Sequence, residues 1–276
     1  MLRTTNRLDG LNKNMQEWDV KYYLHTLRQT CKLQGLPQLA YPDRPYITQI
    51  ARFDPSKGIP DLIKSYAKFR EMLKDTPDEE IPQLVICGHA SIDDPDGTMV
   101  YDQTTSQIHD DFPQYKDDII PIRLGPSDQL LNAIMSMSKV ALQLSTREGF
   151  EVKVSEALHK GKPVIATKAG GIPLQIEHGK SGYLVSRGDH DAVAKYLHDL
   201  ITDKDLYEKM SEYAKTHVSD EVHTVGNALS WLYLASSVAG GKELQPKERW
   251  VNDLARENAG EPYSDDEPRL PRHLST

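Results

Sequence analysis

Val140-Ala141-Leu142-Gln143-Leu144-Ser145-Thr146-Arg147-Glu148-Gly149-Phe150-Glu151-Val152-Lys153-Val154-Ser155-Glu156 passes from a short apolar run, through a glycine turn, into a helix. A run as short and apolar as 140–144 predicts a strand buried on both faces. Gly149 permits an unusual backbone at the turn. The periodicity of 151–159 predicts a helix, which Gly161 stops. A buried strand feeding a helix is one unit of a parallel sheet, and the same alternation extends in both directions.

Upstream, strands are expected at 46–50, 84–87 and 119–123, the last weakened by Pro121. Helices are expected at 60–73, 98–112 and 128–137. Downstream come strands at 163–166 and 182–185, a short helix at 172–177, and helices at 192–201, 206–217 and about 222–238. A further helix over 15–33 precedes a proline-punctuated linker over 37–45. The whole predicts an α/β fold: a doubly wound, mostly parallel, six-stranded, Rossmann-like sheet spanning 45–240. The segment 1–44 is an N-terminal helix and linker. The tail 241–276 is rich in Pro, Glu, Asp, Arg and Lys. It is expected to be disordered or loosely docked, with one short helix around Trp250, Val251 and Leu254.

Composition narrows the function. The chain has 276 residues, 38% of them hydrophobic and 27% charged, with a formal charge of −8. This balance disfavours a nucleic-acid partner. No apolar run approaches the ~18 residues of a membrane helix, and the first residues lack a signal-peptide pattern. Cys31 and Cys87 have no metal-ligand spacing and read as idle thiols of a reducing cytosol, so a cytoplasmic protein is expected. The dinucleotide glycine fingerprint, the Walker lysine, the serine elbow and zinc spacings are all missing, and no cofactor or metal is expected.

Ligands of doubly wound sheets bind at the carboxyl ends of the strands. Arg52, Gly88, the segment 145–150 and the segment 167–172 each follow a predicted strand, so they should share one rim. In Ala51-Arg52-Phe53-Asp54-Pro55-Ser56-Lys57-Gly58, the Arg52 fork and the Lys57 point charge suit phosphate oxygens. Glu148 suits sugar hydroxyls. The first amides of the following helix, near Phe150, Glu151 and Val152, suit a phosphate. Glu156 faces another part of a ligand. Gly170-Gly171, opening Ile172-Pro173, can bring amides close to an anion. The competing reading makes Arg52 and Lys57 solvated surface cations, Glu148 a helix cap, Glu156 an exposed helix residue and the glycine pair a tight turn. Asp93-Asp94-Pro95-Asp96-Gly97 reads as a turn before a helix, and His89 as structural. Converging carboxylates and cations point to a phosphate-activated sugar.

These blocks resemble the donor-side domain of the GT-B retaining glycosyltransferases. Within that group the segments 50–58, 93–97, 145–150 and 170–176 resemble the fungal retaining trehalose phosphorylases, also called trehalose synthases, over about 8–239. The resemblance implies one half of a GT-B fold, with an acceptor-side domain as the missing partner and a sugar phosphate as ligand; a homo-oligomer is compatible with it. It implies that Arg52 and Lys57 hold phosphate and that Glu148 orients glucose through a ring hydroxyl. The amides near Phe150 and Gly171 would complete the anion cradle, and Glu156 would meet a ribose only in nucleotide-sugar relatives. Many relatives carry Gly in place of Glu151 and Glu in place of Leu174, departures that favour glucose 1-phosphate as donor. A nucleotide-glucose-dependent transferase is one alternative, and an inactive sugar-phosphate-binding fragment another. The helix over 222–238 resembles the one that returns to the other domain, so Trp231, Leu232 and Leu234 are expected to be partly exposed.

Overall fold

A computed structural model describes residues 14–89, 95–245 and 248–271, without the side chains of His89 and Pro95. Asp93 and Asp94 of the expected turn, the start of the expected N-terminal segment and the end of the tail lie outside the described residues.

Six parallel strands form one sheet in the order β3-β2-β1-β4-β5-β6. They are β1 (Tyr46–Ile50), β2 (Gln83–His89), β3 (Ile119–Leu124), β4 (Ala141–Gln143), β5 (Val164–Thr167) and β6 (Gly182–Val185). Helices α1 (Glu17–Leu33), α4 (Asp128–Met137) and α5 (Val152–His159) cover one face. Helices α2 (Ile59–Met72), α3 (Pro95–Asp111) and α6 (His190–Thr202) cover the other. Alternation along each strand separates the two cores. Val85 and Cys87 of β2 point into the first, while Leu84 and Ile86 point into the second, as the two-residue period of a strand requires. β1 and β4 lie side by side at the centre, where the strand order reverses. That reversal opens a crevice at the carboxyl ends of β1 and β4.

Pro121 lies in β3, an edge strand, the place where a residue without an N–H is tolerated. The expected helix at 172–177 is only a 3-10 turn, Ile172–Leu174. Cys31 and Cys87 are free and buried in one core. Burial pushes their thiols up to about 11 and about 12 respectively. Among the described residues no helix is long and apolar enough to cross a membrane.

After α6 come α7 (Lys204–Thr216), α8 (Thr224–Ala239) and α9 (Val251–Asn258). In the described part of the tail, α9 covers the residues around Val251 and Leu254 and docks on α8. Asn252 of α9 is buried and donates to Gly226 O and Ser230 Oγ of α8, each at 2.9 Å. Arg256 pairs with Glu267, and the Leu270 amide donates to Glu221 at 2.9 Å. Polar ties of this kind hold a segment whose composition alone suggests solvation. The opposite side of α8 is uncovered: Trp231 is 68% exposed and Leu232 67%.

The rim of the crevice is held by backbones in close approach. Gly58 has φ 62°, and a Cβ there would meet Leu144 O at 1.9 Å. Gly35 shares the sign of φ but has nothing within 4 Å. Gly58→Ala is therefore expected to destabilise by on the order of 3 kcal/mol, from strain plus overpacking. Gly35→Ala should lose about 1 kcal/mol, from the left-handed backbone alone. Urea unfolding followed by far-ultraviolet circular dichroism checks the difference; equal losses would contradict the close-packed rim.

Candidate sugar-phosphate site

Three loops converge on the crevice, and buried amide side chains join them. Gln49 of β1 is fully buried. It donates to Lys57 O at 2.8 Å and accepts from Leu144 N at 3.1 Å. Gln143 of β4 donates to Ile50 O at 3.0 Å. The Thr146 amide donates to Ser56 O at 2.7 Å. The loop after β1 is thereby fastened to the loop after β4. Within the first loop Asp54 accepts from the Ser56 amide at 2.8 Å, starting the 3-10 turn Pro55–Lys57.

The β4 loop is fastened in turn to the β5 loop. Thr167 Oγ1 donates to Ser145 O at 2.5 Å, and the Gly171 amide donates to Gly149 O at 2.6 Å. A Cβ on Gly170, at φ 53°, would meet Glu148 O at 1.9 Å. Gln175 donates to Phe150 O and accepts from Ser155 N and Oγ at 3.1 and 2.6 Å, locking the first turn of α5.

Lys57 stands at the centre. Its Nζ donates to Glu148 Oε2 at 2.5 Å and to Glu151 Oε2 at 2.7 Å. All three side chains are largely buried, at 12%, 14% and 8% exposure. Burial works against the Lys57 ammonium, but the bonds to Glu148 and Glu151 outweigh it and raise its pKa. The two carboxyls are driven apart. Burial and the neighbouring Glu148 push Glu151 up. For Glu148 burial acts upward too, but hydrogen bonds within the cluster, to Glu151 and Lys57, prevail and hold it below the usual carboxylate range. Two carboxylates on one ammonium make the Glu151 proton the easier to retain.

Glu151, not Glu148, is the cap of α5. It has a left-handed backbone, φ 63°, and accepts from the Lys153 amide at 3.4 Å. Such a conformation costs a non-glycine residue roughly 1–2 kcal/mol, opposed here by the ion pair and the cap. Glu156 is buried rather than exposed and pairs with Lys153 at 2.8 Å. Burial pushes its carboxyl up. Arg52 lies 3.3 Å from Asp54 and is half exposed.

Beside this cluster is a cavity of about 190 Å³, whose lining includes Arg52, Lys57, Gly88, Leu131, Glu151 and Lys153. Arg52, Lys57 and Glu151 thus meet as the sequence suggested, and Glu148 touches the same ammonium. Gly149, Phe150 and Gly170 lie in the loops that carry them, and Val152 is exposed at the first turn of α5. The glycine pair departs from expectation. The Gly171 amide is engaged by Gly149 O and the Ile172 amide by Ala169 O, while the Ile172 side chain is fully buried. These residues clamp two loops together instead of presenting amides to an anion. Lys153, Leu131 and the three glutamines were missed. Gln49 and Gln143 carried a signal, being polar residues inside apolar strands, which must find buried partners.

Lys57→Met would leave two largely buried carboxylates without their cation, a loss of about 3 kcal/mol near pH 8. Without the ammonium Glu151, already raised, rises further, so the folded variant binds more protons than the unfolded chain. Its stability therefore falls as pH rises from the ordinary carboxylate range through the raised value, and the penalty should shrink toward about pH 5. Thermal unfolding of both proteins at the two pH values measures this; a penalty independent of pH would remove Glu151 from the cluster.

Residues 37–217 match the family described as glycosyl transferases group 1. The chain is 56% identical over 273 residues to a trehalose phosphorylase of Pleurotus pulmonarius and 58% identical over 270 residues to one of Grifola frondosa. Both alignments cover 97% of this chain but 37% of the relative, so the chain spans little more than a third of those proteins' length. Its fold is similar to a sucrose-phosphate synthase of Thermosynechococcus elongatus, with a TM-score of 0.60 at 22% identity, covering 78% of this chain and 49% of that one. The sheet is that of one half of a GT-B glycosyltransferase, and the chain belongs to the glycosyl transferases group 1 family.

Proposed function

We propose that this chain is the donor-side half of a retaining trehalose phosphorylase, which converts trehalose and phosphate reversibly to glucose and α-glucose 1-phosphate. The observation that carries the reading is the Lys57 ammonium, set between a sugar-orienting carboxylate and a cavity also lined by Arg52 and Lys153. The high identity to curated trehalose phosphorylases supports the substrate.

In this reading Arg52 and Lys57 bind the phosphate and stabilise charge as the glycosidic bond breaks. Two N–H groups of the Lys57 ammonium stay with Glu148 and Glu151, and the third donates to a phosphate oxygen. Glu148, held ionised beside Lys57, accepts a hydrogen bond from a glucose hydroxyl and fixes the ring. Phosphate enters on the face that the leaving glucose vacates, so configuration is kept without a carboxylate nucleophile, unlike a retaining glycosidase. The α5 amides near Phe150 and Val152 face the anion, and Glu156 acts through Lys153.

The segment 45–240 is the donor-binding unit, and 1–44, whose helix α1 packs on this sheet through Leu24, Leu27 and Cys31, joins it to an acceptor-side domain. The uncovered apolar side of α8, with Trp231 and Leu232, and the exposed Trp18 and Tyr22 of α1 suit contacts with that domain. Free, buried Cys31 and Cys87 suit a reducing cytoplasm.

Trehalose phosphorolysis is to be measured on this chain and on a longer protein carrying the acceptor-side domain. Activity confined to the longer protein is expected, and Arg52→Ala in it should lower kcat/KM by the equivalent of about 2–4 kcal/mol. Turnover that needs a nucleotide-activated glucose instead of phosphate, or an Arg52→Ala variant of normal activity, would overturn the reading.

A further inference from the structure

Glu151 combines two features that the cap of a short helix does not require. Its backbone is left-handed, at φ 63°, a conformation that Gly58 and Gly170 adopt nearby without cost. Its carboxylate also lies where an anion would be expected. It accepts from Lys57 Nζ at 2.7 Å and from the Lys153 amide at 3.4 Å, and the residue lines the cavity with Arg52, Lys57 and Lys153. A helix N-terminus with a facing ammonium is an anion seat, and here the chain's own side chain occupies it. One turn further along α5, Glu156 is 9% exposed and held by Lys153 at 2.8 Å. Two carboxylates, each anchored by a cation, therefore stand along the first two turns of the helix.

A sugar monophosphate ends at its phosphoryl group and needs only the Arg52 and Lys57 end of the pocket. A nucleoside-diphosphate sugar continues through a second phosphoryl group, which needs donors of its own. We propose that Glu151 is the specificity-determining residue of this site, filling the seat of a second phosphoryl group so that the pocket takes a sugar monophosphate and rejects a nucleoside-diphosphate sugar. The inference rests on reading the cavity as a sugar-phosphate site. Exclusion comes from bulk and from like charge, which is how a site discriminates against a competitor it would otherwise hold.

The test compares glucose 1-phosphate with UDP-glucose at mildly alkaline pH. There the phosphomonoester is a dianion and the diphosphate diester carries the same formal charge, so the affinity ratio reads placement rather than net charge. Both ligands are titrated by calorimetry into the chain and into Glu151→Gly and Glu151→Gln. The unaltered chain should favour glucose 1-phosphate by about tenfold or more. Glu151→Gly opens the seat and keeps the backbone unstrained, and should move the ratio about tenfold toward UDP-glucose. Glu151→Gln keeps the bulk and removes the charge, and should move it part of the way. An unchanged ratio in Glu151→Gly, with both ligands still bound, sinks the proposal alone. Binding of neither ligand by the unaltered chain sinks the sugar-phosphate reading, and the proposal with it. If Glu151→Gly does not fold by circular dichroism, Glu151→Gln decides: a shift of about threefold or more supports the proposal, and none overturns it.

Discussion

One ammonium group, that of Lys57, holds the site together. It joins the loop after β1 to the loop after β4 by two ion pairs, across 91 and 94 residues of chain. Such a bridge is stable only if both loops are already in place, because an ion pair withdrawn from water must recover its lost hydration through good geometry. The surrounding structure supplies that geometry. Gly58 and Gly170 let backbones approach where a side chain would collide, and Gln49 and Gln175 hold the loop carbonyls from within. The charges sit on a rim that uncharged contacts have set.

The arrangement explains how a carboxylate-rich crevice can still suit an anion. Glu148 and Glu151 cannot both release Lys57 without leaving buried negative charge, and burial makes one of them, Glu151, a reluctant carboxylate. Glu148, by contrast, is held below the usual carboxylate range by its hydrogen bonds within the cluster. Lys153, paired with Glu156, extends the positive lining on the other side.

Most of the fold was legible because it rests on short-range pattern. The apolar run Tyr46–Ile50 and the periodic Asp128–Met137 have the bounds expected of them. The convergence of Arg52, Lys57 and Glu148 was legible too, since all three follow strands and strand ends share a rim. The partners of those residues were not. That Lys57 would face Glu151 as well as Glu148 depends on the left-handed turn at Glu151, a conformation that glycine, not glutamate, signals. The role of Gly171 was misjudged for a related reason: a glycine pair permits close approach, but the sequence does not say whether a ligand or another loop will approach. In the described tail the charged residues Arg256 and Glu267 find one another, a pairing that composition does not reveal.

The placement of the indoles has a practical side. Of the three tryptophans, Trp18 and Trp231 are 69% and 68% exposed, and Trp250, half-buried, caps α9; none lies in either core of the sheet. Trp250 is thus left to report on the fold, while emission from Trp18 and Trp231 begins already red-shifted and changes little when the sheet melts. The same optical signal would move to the blue whenever another surface covers α1 or α8, which makes it a gauge of association and a poor gauge of unfolding.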